Sequence, residues 1–203
     1  TIVFERRGGG HLTSPLWSRD PGICRVATVG GTAERISRSG FRPQFASDAN
    51  RVFFLRRQSN KDADHLQCCS MALSGNEVRV HYTSLWATDY RISPDRERIA
   101  FIERFRVYVA PFVDSGSPLT VGPGGRGIPI VRASEQAGDW VHFSGDSQRL
   151  HWALGPRLYT RGLELGSGEL PPEPHAPREI GFRAPHARPQ GTLALVGGRI
   201  LTM

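Results

Sequence analysis

The feature that most constrains this chain is a frame that recurs three times: an apolar residue, two residues, Asp, two residues, Arg, then an apolar run. It reads Phe45-Ala46-Ser47-Asp48-Ala49-Asn50-Arg51-Val52-Phe53-Phe54, then Ile92-Ser93-Pro94-Asp95-Arg96-Glu97-Arg98-Ile99-Ala100-Phe101, then Phe143-Ser144-Gly145-Asp146-Ser147-Gln148-Arg149-Leu150-His151-Trp152. The middle copy outlines a β-hairpin. Ile92 closes one strand, Pro94 sits where a turn wants φ near −65°, and Arg98 to Phe101 opens the next strand. Asp48 to Asp95 is 47 residues and Asp95 to Asp146 is 51. A period of roughly 40 to 50 residues is that of a four-stranded propeller blade.

Turn and strand signals extend the frame into units. The first has short strands at Ile2 to Glu5, Ile23 to Ala27 and Ala33 to Ser37, with a Gly-, Ser- and Pro-rich loop from Gly8 to Pro21. Its innermost strand is expected before Thr1. The second unit is expected to place strands at Gln44-Phe45, Arg51 to Arg56, Leu66 to Leu73 and Glu77 to Tyr82. The third places them at Asp89 to Ile92, Arg98 to Arg104, Arg106 to Phe112 and Pro118 to Val121. The fourth begins at Asp139 to Phe143 and continues through Gln148 to Ala153 and Arg157 to Thr160. From Gly166 to Pro189 repeated prolines remove ladder donors, so that stretch reads as a linker with one edge strand at Glu179 to Phe182. Thr192 to Val196 and Arg199 to Met203 form a last strand pair around Gly197-Gly198. No stretch has a helical period.

The expected fold is therefore all-β: about four four-stranded antiparallel blades, the first incomplete, over residues 1–165, a Pro/Gly-rich linker over 166–190, and a β-hairpin of a following domain over 191–203. In a four-stranded meander, first-to-second and third-to-fourth connections share one end. The tight turns Gly30-Gly31, Ser47 to Asn50, Ser74 to Asn76, Ser93 to Arg96, Asp114 to Ser117 and Ser144 to Ser147 are all of this kind. The long loops Gly8 to Pro21, Arg57 to His65, Thr83 to Thr88 and Gly122 to Ala137 belong to the other end. Binding residues concentrate on elaborated loops of rigid scaffolds. Trp17, Arg19, Asp62, His65, Trp86 and Arg126 are the candidate interaction residues there.

Composition narrows the partners. The net charge of +7 raises nucleic acid, yet Lys61 is the only lysine and no basic run gathers the arginines, so nucleic acid is not expected. No run reaches the ~18 apolar residues of a membrane span, so no membrane insertion is expected. Cys24, Cys68 and Cys69 lack the spacing of a metal site and read as small apolar strand residues.

The repeat resembles the WD40-like (PD40) repeat of TolB-type β-propellers, in which a strand ends Phe-Ser-Pro-Asp-Gly before a basic residue and Ile-Ala-Phe. Ile92 to Phe101 matches it well; the other copies match loosely, with Ala49, Arg96 and Ser147 where the family has Gly. Gly191 to Met203 resembles the opening hairpin of amidohydrolase-superfamily proteins of the imidazolonepropionase or dihydroorotase type. The resemblance implies a non-catalytic propeller segment of a bacterial multidomain hydrolase, periplasmic or secreted, docking on, shielding or filtering access to a zinc-dependent barrel that would follow Met203. It implies no cofactor in this segment, zinc in the parent's catalytic domain, and that domain as partner, with other proteins or peptides besides. A TolB-like interaction scaffold without an enzyme, and the gating propeller of a prolyl-oligopeptidase-like peptidase, are the alternatives.

No catalytic or metal residue is assigned. Asp48, Asp95 and Asp146 recur in turns, where their carboxylates are expected to hold local backbone amides. Asp62, Asp64 and His65 read as a solvated loop tip, and His142, His151, Trp140 and Trp152 as stacked packing within one hairpin. Ser14, Ser93 and Ser144 lack a Gly-x-Ser-x-Gly elbow. Gly122 to Gly127 precedes no helix that could take a phosphate.

Overall fold

A computed structural model of the chain describes residues 1–7, 20–59, 63–122, 127–163, 177–185, 191, 196 and 197. Among these the regular elements are all strands. They are β1 (Ile2–Arg6), β2 (Gly22–Val26), β3 (Glu34–Ser37), β4 (Phe41–Phe45), β5 (Arg51–Ser59), β6 (Asp64–Ala72), β7 (Arg79–Ser84) and β8 (Ala87–Ile92). They continue as β9 (Arg98–Glu103), β10 (Arg106–Pro111), β11 (Leu119–Thr120), β12 (Val131–Arg132), β13 (Asp139–Phe143), β14 (Arg149–Leu154), β15 (Arg157–Gly162) and β16 (Arg178–Glu179). They form four sheets, ordered β1-β2-β3, β11-β7-β6-β5-β4, β12-β10-β9-β8 and β13-β14-β15-β16. The last three sheets each carry one copy of the repeat, with β4, β8 and β13 pairing antiparallel to β5, β9 and β14 across the turn aspartate.

Runs such as Val52–Leu55 and Ile99–Ile102 are apolar at every position because their sheets are covered on both faces. Alternate residues serve alternate neighbours. Phe53, Leu55 and Cys68 pack with Ile99, Phe101 and Ala110 between the second and third sheets. Val52, Phe54, Cys69 and Met71 turn the other way, onto Ile23 of the first sheet. Ala100, Ile102 and Val109 meet Val141, Leu150 and Trp152 of the fourth. The sheets are thus stacked face to face in chain order, each large buried side chain contributing about 1.5–3 kcal/mol. The three cysteines are buried and free within this stack.

The repeat turns show how each is stapled. Asp48, Asp95 and Asp146 accept backbone N–H bonds at Oδ1 from Asn50, Glu97 and Gln148 at 2.8, 3.0 and 3.0 Å. In the second and third copies a serine two residues earlier adds a staple. Ser93 Oγ donates to Asp95 and accepts from the Arg98 amide, as Ser144 does with Asp146 and Arg149. The first copy has Ala46 there and a different turn. Arg96 and Ser147 hold φ of 64° and 62°, the left-handed geometry that costs a non-glycine residue about 1 kcal/mol. Ala49 is not among the positive-φ residues. Ser147 is buried, its Oγ accepting from the Asp95 amide at 3.0 Å and its carbonyl from Arg98, so one turn latches onto the next.

Several expectations are corrected. Residues 118–121 do not form the outer strand of the third sheet: β11 joins the second sheet, parallel to β7, and β12 takes the edge beside β10. The cause is Tyr82, whose hydroxyl accepts from the Val113 amide at 2.6 Å and lies 3.2 Å from the Val113 carbonyl, carrying the chain across to its own sheet. Asp114 to Ser117 is therefore a crossover rather than a hairpin turn. The loop-bearing end is not uniformly elaborated: the expected long loop Thr83 to Thr88 is only the two-residue connection Leu85-Trp86 between β7 and β8, and β9–β10 and β14–β15 are joined there by the two-residue turns Arg104-Phe105 and Gly155-Pro156. Arg104 and Phe105 both have positive φ, as a tight hairpin that follows strand twist requires. His65 belongs to β6, paired with Gln58, and not to a loop. Trp140 does not pack in the core but is 70% exposed, whereas Trp152 is buried and stacks on Tyr159 at 5.6 Å. The linker's edge strand is only Arg178–Glu179, starting one residue earlier and ending three residues earlier than expected, with Glu179 opposite Arg157. Trp17, Arg19, Asp62, Arg126 and most of 191–203 lie outside the described residues.

Candidate functional site

The strands that open the last three sheets share an irregularity. Register shifts fall between Phe41 and Gln44, between Ala87 and Asp89, and between Asp139 and His142. Bulges re-aim side chains and are over-represented beside binding sites. Here they bring together Arg42, Asp89 and Trp140, each six residues before its turn aspartate. Three equivalent positions of three sheets therefore meet at one place.

Arg42 Nη1 lies 2.6 Å from Asp89 Oδ2, and the Arg42 guanidinium sits over the Trp140 ring at 5.7 Å. Arg91 Nε approaches the same carboxylate at 3.6 Å. Asp89 is only 1% exposed, and its Oδ2 faces both cations. Its Oδ1 accepts from the Tyr90 amide at 2.9 Å. Burial pushes the Asp89 carboxyl up, and Arg91 and Arg42 only partly oppose it. Arg42 and Trp140 both carry positive φ, 50° and 57°. Strained backbone of this kind persists only where the surroundings fix it, and it gathers at binding sites. With Thr88, Ile102 and Asp139 these residues line a cavity of about 240 Å³.

Around the cavity the same end exposes large apolar side chains. Trp86 is 54% exposed and Phe105 75%, beside Leu85 and Trp140. The Arg104 guanidinium covers the Trp86 ring at 5.0 Å. Buried Ser84 caps this turn, its Oγ accepting from the Trp86 and Ala87 amides and donating to buried Glu103. The Phe105 carbonyl accepts from the Gly138 amide at 2.9 Å, which ties the β9–β10 turn to the approach to Trp140. Of the interaction residues expected from the sequence, Trp86 is part of this surface and His65 sits on β6 at the same end. Arg42, Asp89, Phe105 and Trp140 were missed. Aligning the three repeats on their aspartates would have placed three of them at one position.

The opposite end carries a Ser-His-Asp arrangement that sequence spacing did not reveal. Ser70 Oγ is 2.7 Å from His81 Nε2, and His81 Nδ1 is 3.5 Å from Asp114 Oδ1. Ser70 also accepts from Arg51 Nε at 2.8 Å and is fully buried. A serine nucleophile needs a substrate carbonyl within reach and donors for the oxyanion. A hydroxyl sealed beneath Arg51 and His81 meets no substrate, so this network braces the β10–β11 crossover. Likewise His142 and His151 stack at 5.0 Å across one hairpin, with His151 bonded to Thr160. No group of three metal-ligating side chains occurs among the described residues.

No protein-family model and no curated protein matches this chain. Among solved structures it is similar to a putative 6-phosphogluconolactonase from Bacteroides uniformis, at 11% identity and a TM-score of 0.41. That match covers 79% of this chain and 65% of the other. Among the described residues no helix is long and apolar enough to cross a membrane.

Proposed function

We propose that this chain is a run of β-propeller blades serving as a non-catalytic binding module, and that its loop-bearing end is the contact surface. The observation that carries this reading is the meeting of Arg42, Asp89 and Trp140. Equivalent residues of successive units come together when the units are arranged about a common axis, as blades are. The face-to-face stacking of the four sheets agrees with the same arrangement.

Exposed Trp86, Phe105 and Trp140, with Arg42 and Arg104, have the composition of an interaction hot spot: rigid aromatic anchors flanked by arginine. The partner we propose is the hydrolase domain suggested by the amidohydrolase-like run Gly191 to Met203, against which the module would dock and filter access. Calorimetric titration of this chain with that domain, produced separately, tests the reading. Trp86→Ala and Trp140→Ala are each expected to weaken binding by tenfold or more, about 1.4 kcal/mol at the least. Undiminished affinity in both variants overturns it.

A further inference from the structure

The turn-bearing end holds a second cavity, of about 400 Å³, lined by Val78, Arg79, His81, Asp114, Ser117 and Pro118 among others. It lies where the apolar layer between the second and third sheets gives way to charge. Ser70 of β6 pairs with Arg79 of β7, and Arg51 of β5, which pairs with Ala72, reaches along the sheet to donate from its side chain to Ser70 Oγ. The register shift between Cys68↔Tyr82 and Cys69↔Val80 leaves His81 as the extra residue of β7. Its ring lies against Phe53 and Phe112 at 5.6 and 5.3 Å. Arg96 enters from the third sheet, over the same two rings and paired with Asp114 at 2.7 Å.

The cations exceed the anions here. Arg96 is matched by Asp114, and Arg51 by Glu77 at 3.7 Å and by the Glu77 carbonyl. Arg79 is exposed and has no hydrogen-bonded or ion-paired side-chain partner among the described residues. The surplus acts on its neighbours. Burial, then Arg79, push the Arg51 guanidinium down. Burial lowers His81 too, with Asp114 opposing it and Arg51, Arg96 and Arg79 adding to it. A surplus of positive charge in a concave, partly apolar site favours an anion.

We propose that this groove binds a small organic anion, its oxyanion head group taken by Arg79 beside His81 and its carbon body laid on Val78 and Pro118. The cavity volume falls within the roughly 300–1,000 Å³ of small-molecule sites. A guanidinium donates two parallel bonds to a phosphate or carboxylate. The groove lies at the end opposite the proposed contact surface, and its ligand is independent of whether that surface binds a partner.

The test is calorimetric titration with phenyl phosphate, benzoate and inorganic phosphate at constant ionic strength. Saturable binding is expected, tighter for phenyl phosphate than for inorganic phosphate because of the apolar wall. Comparing benzoate with phenyl phosphate assigns the head group. Arg79→Gln is expected to weaken the better ligand tenfold or more, since the charge-assisted bonds of the guanidinium are lost. Arg104→Gln, at the other end, is expected to change it less than twofold. In the wild-type chain the imidazole nitrogen resonances of His81 should move on titration. Equal loss in both variants, no loss in Arg79→Gln, unmoved His81 resonances, or no saturable binding up to the millimolar range would each overturn the proposal.

Discussion

Replacing Arg42 with alanine is the sharpest test of the convergence at the loop-bearing end. The change removes the cation 2.6 Å from Asp89 Oδ2 and leaves a carboxylate that is 1% exposed. Breaking a fully buried pair by deleting one partner costs roughly 3–5 kcal/mol. Two features reduce the figure here. The Arg42 side chain is 29% exposed, so its desolvation is incomplete, and Arg91 remains 3.6 Å from the carboxylate. About 2–3 kcal/mol is the expected loss at neutral pH, read as a lowered urea midpoint with unchanged m. The loss carries a pH signature. Burial raises the Asp89 carboxyl above its unfolded value, so the charged form is what the fold disfavours. Removing Arg42 raises it further. The deficit of Arg42→Ala should therefore be full above the folded pKa of Asp89 and shrink as pH falls through it. Asp89→Asn in the same background should recover part of the loss, a coupling within the roughly 0.5–3 kcal/mol seen for contacting residues. A midpoint within about 0.5 kcal/mol of wild type, the size of an ordinary surface substitution, would refute the reasoning. So would a deficit that does not change with pH.

Three further outcomes follow from the packing. Gly138→Ala places a Cβ 2.6 Å from Trp152 Cδ1 and 2.7 Å from Val107 Cγ2 in a closed core, and overpacking of about 1–3 kcal/mol should appear in the same urea assay. Tyr82→Phe removes the hydroxyl that holds Val113, with about 1–2 kcal/mol lost and faster amide exchange at Val113 and Leu119. His81 is lowered mainly by burial, so its contribution is present above its unfolded value of about 6.5 and lost as pH falls below it. Stability curves of wild type and His81→Gln should therefore converge as pH falls from neutral through the lowered folded value of His81, and parallel curves would contradict the assignment.

What the sequence made legible follows from what leaves a periodic trace. Val52–Leu55 and Ile99–Ile102 announce strands because both faces of their sheets are buried, and the turn aspartates announce hairpins because each must satisfy nearby amides. The crossover of residues 112–120 left no such trace. A two-residue edge strand has no period, and its partner is chosen by one hydroxyl of Tyr82, far off in sequence. Trp140 alternated like a core residue, but the register shift after Asp139 and its φ of 57° turn it outward. Arg42 and Asp89 gave no common chemical signal, being of opposite charge; only their shared place relative to the turn links them.

The central claim, that the loop-bearing end is the contact surface, is tested most directly by amide exchange of this chain alone and joined to the proposed hydrolase domain. Added protection is predicted at residues 84–89, 103–106 and 139–142, the segments that carry Trp86, Phe105 and Trp140. Protection confined to the turns at 48–51, 95–98 and 146–149, or none at either end, would contradict it.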